Sequence, residues 1–142
     1  MKNFITLCAL GLCLISPQSF AANPDLQSQI QAAEKAALAW LATSDTGKYA
    51  ENWHEAGTLL KTAITQADYE RNLQAARTPL GTLVSRHLKS AEYTTSLTGL
   101  ADGKYVVMQF DTDFSNKRIA VETIVSTLEK KETWKVIGYF IK

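Results

Sequence analysis

Glu122 and Arg86 are charged residues at positions where an alternating strand pattern calls for apolar ones. Along the stretch Arg118 to Leu128, Glu122 falls on the same side as Ala120, Ile124, Ser126 and Leu128. Arg86 likewise falls beside Val84 and Leu88. If those apolar sets face a core, both charges face it too, which is costly unless they are paired or wetted. The strands bearing them are separated by one intervening strand, about 10 Å, a gap that two long side chains can close. Two chemistries fit. Lining a cavity, Glu122 would act as general acid or base while Arg86 orients a polar substrate. As a structural ion pair, the two would fix the register of the sheet against its covering layer. Tyr139 and Arg77 are further ligand-binding candidates at the mouth of such a cavity, with Tyr139 sharing a face with Ile137 and Ile141.

Other chemistries have little to stand on. His54 and His87 lie in different elements with no metal-ligand spacing around them. There is no Gly-x-Ser-x-Gly elbow and no glycine-rich loop opening a helix. Asp111 and Asp113 alternate along a strand opposite Val106, Met108 and Phe110, which points both outward to solvent. The reading therefore calls for no cofactor and no metal.

Charge narrows the partners. The 142 residues carry 15 Lys+Arg against 14 Asp+Glu, a balance without the basic excess of a nucleic-acid binder. With 46% hydrophobic residues the chain is expected to fold, as one domain. Its first 21 residues read as a secretory signal peptide. Lys2 supplies the positive start, Phe4 to Ile15 is apolar, Pro17 breaks the run, and Ser19-Phe20-Ala21 sets cleavage after Ala21. The apolar run falls short of the ~20 residues of a spanning helix, so no integral membrane segment is expected in residues 22–142. Cys8 and Cys13 both lie in the signal, and each follows a leucine, a poor lipidation context. The mature chain is then formally neutral, thiol-free, and periplasmic or secreted.

The elements that position the candidates divide into two halves. Asn23-Pro24 is a helix start, and Leu26, Ile30, Ala33, Ala37, Trp40 and Leu41 form one face of a helix from Asp25 to about Ser44, ended by Asp45-Thr46-Gly47. A second helix runs from Tyr49 to about Ala56. A third follows Thr65, capped through Asp68, and reaches Arg77 with Tyr69, Leu73 and Ala76 as its apolar stripe. Four strands are expected over Leu83–Leu97, Lys104–Phe114, Arg118–Leu128 and Trp134–Ile141. Their short connections make an antiparallel meander. The fold class is α+β, with three N-terminal helices on one face of a four-stranded sheet. The other face carries Tyr105, Val107, Val121, Thr123 and Val125, an apolar surface through which a homodimer would form.

Several strings carry a resemblance. Arg77-Thr-Pro79-Leu80-Gly81, Ser85-Arg86 and Tyr93, Gly103-Lys-Tyr105-Val106-Val107-Met-Gln-Phe110-Asp111-Thr, Asn116-Lys117, Val121-Glu122-Thr123 and Trp134-Lys-Val136-Ile-Gly138-Tyr139 resemble a family of small exported bacterial proteins catalogued as a domain of unknown function. The resemblance implies an exported location and the cone-like α+β architecture typified by nuclear transport factor 2 and cystatin-like folds. It implies no reaction.

Three functional readings follow. The first is an exported, non-catalytic binding or interaction domain that takes a small ligand or a protein through its cavity or sheet face. The second is a small cavity enzyme with Glu122 as acid/base and Arg86 orienting a polar substrate. The third is a dimeric accessory protein.

Overall fold

The computed structural model describes residues 23–142, so the signal peptide expected at 1–21 lies outside the described residues. The described residues are α+β, four helices followed by a four-stranded antiparallel meander of order β1-β2-β3-β4. Helix α1 spans Pro24–Asp45, α2 Tyr49–Glu55, α3 Thr58–Ala63 and α4 Gln66–Arg77. A single 3-10 turn, Thr78–Leu80, leads into β1 (Leu83–Thr94), β2 (Tyr105–Phe114), β3 (Lys117–Glu129) and β4 (Thr133–Ile141). Among the described residues, no helix is long and apolar enough to cross a membrane.

The caps read from the sequence form. Asn23 Oδ1 accepts from the Asp25 amide at 3.1 Å, and Thr65 Oγ1 accepts from the Asp68 amide at 3.2 Å. Helix α3 is an addition to the three helices expected from the sequence. It has six residues, too few for a periodic stripe to register. Tertiary contacts build it instead. Glu129 Oε1 accepts from the Thr58 amide at 2.6 Å, and the Gly57 amide donates to the Val136 carbonyl on the outer edge of β4 at 2.7 Å. A Cβ on Gly57 would come within 2.7 Å of Ile137 Cγ2, so only glycine lets the α2–α3 corner reach the strand.

The core lies between the helices and one sheet face. Ala33, Ala37, Trp40 and Leu41 of α1 pack with Val106, Met108 and Phe110 of β2, Ile124 of β3, and Trp134 and Val136 of β4. Asn52 of α2 is fully buried and ties three helices together. Its amide donates to the Trp40 carbonyl at 2.8 Å, its Oδ1 accepts from the Tyr69 hydroxyl, and its own carbonyl accepts from Trp40 Nε1 at 2.9 Å.

Three expected core positions are not buried. Leu26 is 38% exposed near the start of α1. Val84 and Leu88 are 67% and 41% exposed. Strand β1 is an outer strand with irregularities between Leu83 and Ser85 and between Leu88 and Ser90. Val84 falls in the first. After the second, the core-facing positions switch from even to odd, so Ala91 and Tyr93 pair with Met108 and Val106 and pack on the core. A single extra residue inverts the period-two count, and no residue type in β1 announces it.

The opposite face has Val107 paired with Val125, Gln109 with Thr123 and Asp111 with Val121, the side sharing read from alternation. It is less open than expected. Tyr105 is buried, its hydroxyl donating to the Ala101 carbonyl at 2.6 Å, and the valines are half-buried, while Phe140 is exposed.

Candidate functional site

Four elements deliver charge to one point beneath the sheet. Helix α1 ends on Asp45, α4 ends on Arg77, β1 carries Arg86 and β3 carries Glu122. Strand alternation places Glu122 on the core side between Ala120 and Ile124, and β1–β2 pairing sets Arg86 opposite Thr112. The helix α4 stripe ends on buried Arg77, with Ala76 exposed, which corrects the apolar stripe that ended on Ala76. The 69, 73, 77 spacing keeps one face, and the cation is accepted because anions wait for it.

The Arg86 guanidinium lies between two carboxylates. Its Nε donates to Glu122 Oε2 at 2.6 Å and its Nη2 to Glu122 Oε1 at 3.2 Å. Its other edge holds Asp45, Nη1 to Oδ2 at 2.8 Å and Nη2 to Oδ1 at 2.9 Å. Both contacts are the two-pronged geometry that suits a planar guanidinium. Arg77 Nη2 reaches Asp45 Oδ1 at 2.6 Å, and its Nη1 donates to Ser44 Oγ at 3.2 Å and to the Tyr139 hydroxyl at 3.1 Å. The Tyr139 hydroxyl in turn donates to Glu122 Oε1, and Thr112 Oγ1 donates to Glu122 Oε2 at 2.7 Å. The Arg77 guanidinium carbon stands 4.9 Å from the centre of the Phe114 ring, and Trp40 meets Tyr139 edge-on at 5.5 Å.

All four acceptor positions of Glu122 are therefore filled, and its side chain has no exposed surface. Four donors on two oxygens leave no free acceptor position for which a substrate could compete. Two arginines face two carboxylates, so the formal charges cancel within the cluster. Burial pushes the Asp45 carboxyl up, but hydrogen bonds from Arg86 and Arg77 outweigh it and hold the group below the ordinary aspartate value. Burial, then the Glu122 charge, raises the Tyr139 phenol well above its usual range. Both guanidiniums are held more firmly protonated, the hydrogen bonds and charges of their partners overcoming burial.

The structure thus brings Glu122, Arg86, Tyr139 and Arg77 together in one cluster. Asp45, Ser44 and Thr112 were not anticipated. One signal for Asp45 existed. An aspartate at a helix C-terminus opposes the helix dipole and asks for a cation. His54 stacks edge-on against Trp53, ring centres 5.2 Å apart, and His87 is exposed on β1 opposite Asp111. Asp111 lies 3.6 Å from Lys89 Nζ, and Asp113 accepts from the Ile119 amide at 2.7 Å.

A largely apolar concavity lies elsewhere. A groove of about 380 Å³ runs between α3, α4 and β4, walled by Leu60, Ile64, Leu73, Ile137, Tyr139 and Phe140. Ala63 and Ala76, both exposed, form its rim. Tyr69 and Asn72 add polar side chains to its lining.

The quoted strings around Thr78–Gly81 and Asn116 prove structural. Gly81 has φ +78°, and a Cβ there would fall 2.0 Å from Ser115 Oγ. That close approach lets the β2–β3 turn lock onto the 3-10 turn, with the Asn116 amide donating to the Leu80 carbonyl at 2.9 Å and the Ser115 amide to the Thr82 carbonyl at 2.8 Å.

No curated protein and no solved structure matches the chain. A family model does match, over residues 36–139, a span that holds all five charged and phenolic members of the cluster and every named wall of the groove except Phe140. The chain belongs to the family described as Protein of unknown function (DUF4019).

Proposed function

We propose that the protein is an exported, non-catalytic binding domain whose ligand site is the groove between α3, α4 and β4. The observation that carries this reading is the saturation of Glu122. The residue best placed for acid/base work has every acceptor position filled by Arg86, Thr112 and Tyr139 and is sealed from solvent. Its role is that of a structural counter-ion. The groove, by contrast, is open and walled by aliphatic and aromatic side chains, the composition of sites that take apolar or amphipathic ligands. Export is supported by the Lys2, Phe4–Ile15 and Ser19-Phe20-Ala21 pattern, and N-terminal mass analysis of the protein secreted by a bacterial host is expected to start at Ala22.

The test is thermal stabilisation by decanoic acid and by short apolar peptides. A groove ligand raises the melting temperature by mass action. Ala76→Glu, on the exposed rim, is expected to abolish that rise while leaving the melting temperature of the free protein unchanged. A rise that survives Ala76→Glu and Ala63→Glu together would place the ligand elsewhere.

A further inference from the structure

The groove has a wall that is not made of side chains. Ile137 and Tyr139 lie on a different face of β4 from Gly138 and Phe140, yet all four line the same groove. Residues from both faces of one strand can share a groove only if it runs along the strand's edge. Strand β4 is the last in the sheet, so among the described residues that edge has no neighbouring strand.

The hydrogen-bond register shows which backbone groups face outward. Val121 and Lys142 exchange both backbone bonds, each 3.0 Å. In an antiparallel pair such closed pairs recur at every second residue, at Phe140 with Thr123 and at Gly138 with Val125. The amides and carbonyls of Tyr139 and Ile141 therefore point away from β3, and among the described residues none of them has a further partner. One residue past the β4 irregularity at Ile137 the same edge is already engaged, because the Gly57 amide donates outward to the Val136 carbonyl. The α2–α3 corner thus begins an edge pairing that stops where the groove opens.

Resting on the groove as the ligand site, we infer that its occupant is an extended apolar peptide segment that continues this pairing along Tyr139–Ile141. An acyl chain would satisfy the aliphatic walls and leave the outward amide and carbonyl of Tyr139, which lines the groove, unpaired, at a cost for each. A peptide backbone satisfies both, with alternate side chains turned toward Leu60, Ile64 and Leu73.

The test is amide hydrogen exchange on the purified protein, read at Tyr139 and Ile141, with three probes. They are a capped peptide of about six residues alternating valine and threonine, the same peptide N-methylated at every residue, and decanoic acid. The expected result is at least ~10-fold slower exchange at both amides with the first peptide only. Equal binding of the methylated peptide would overturn the inference, because that peptide has walls to fill but no amide hydrogens to give. Binding of decanoic acid without the peptide would overturn it and leave the groove reading standing. Binding of neither would remove both. Ile141→Pro deletes an outward donor and none of the β3 ladder bonds. It is expected to abolish peptide protection while exchange at Thr123 and Phe140 stays slow, and peptide protection of Tyr139 that persists in it would again overturn the inference.

Discussion

The charged cluster and the groove use neighbouring parts of the same helix and strand and are built on opposite principles. Arg77 and Tyr139 close the cluster, while Ala76 and the backbone of Tyr139 open onto the groove. In the cluster nearly every polar atom has a partner, Arg77 Nε being the exception. In the groove the walls are apolar and the polar groups of the strand edge are unpaired. The difference teaches where function can reside. Buried ionic groups that satisfy one another hold elements in place, because any ligand must first break bonds already made. Unfilled hydrogen-bonding capacity beside apolar surface has something left to offer a partner.

The strongest way to break this comparison is at Glu122. Glu122→Ala is expected to cost about 3–5 kcal/mol, because it leaves the Arg86 guanidinium buried with half its partners gone. That corresponds to a fall of roughly 10–20 °C in melting temperature. Glu122→Gln keeps the volume and removes the charge, and it too is expected to lower the melting temperature. A Gln variant that melts like the parent would return Glu122 to the list of candidates for proton transfer.

Gly57→Ala sharpens the comparison from the other side. The added methyl would meet Ile137 Cγ2 at 2.7 Å, and the edge bond from Gly57 to Val136 would be strained. A loss of about 1–3 kcal/mol in urea unfolding is expected. The change should be read together with exchange at the α3 amides, which are expected to open first because α3 is held by this corner and by Glu129.

Acid titration probes the cluster through Asp45. The folded-state value of Asp45 is depressed, so its contribution is fully present above the ordinary 3.8 and is lost as pH falls through the lower folded value. Arg77 and Arg86 stay protonated throughout, so they add no opposing slope. The urea midpoint is expected to fall below about pH 4, and Asp45→Asn is expected to flatten that slope. An unchanged slope in Asp45→Asn would assign the acid sensitivity to other carboxylates.

The smallest expected effect on stability is at the groove rim. Ala63→Glu and Ala76→Glu replace exposed side chains and are expected to move stability by less than ~0.5 kcal/mol. Their readout is ligand binding, so stability and binding should separate here, whereas at Glu122 only stability responds.

Much of this protein was legible in the order of its residues. Asn23-Pro24 and Thr65 with Asp68 start helices through local hydrogen bonds, and local chemistry can be read locally. The alternation in β2 and β3 put Glu122 on the buried side, and burial of a charge demands a partner, which made Arg86 the natural one. Asp45, the short helix α3, the inverted alternation after Leu88 and the groove were decided by tertiary structure. A helix-ending aspartate becomes a counter-ion only when two arginines arrive from 32 and 41 residues away. A six-residue helix persists only because Glu129 and Val136 hold it. A sheet edge becomes a candidate binding surface only when helices stop short of it, and no single segment carries the information about where another segment stops.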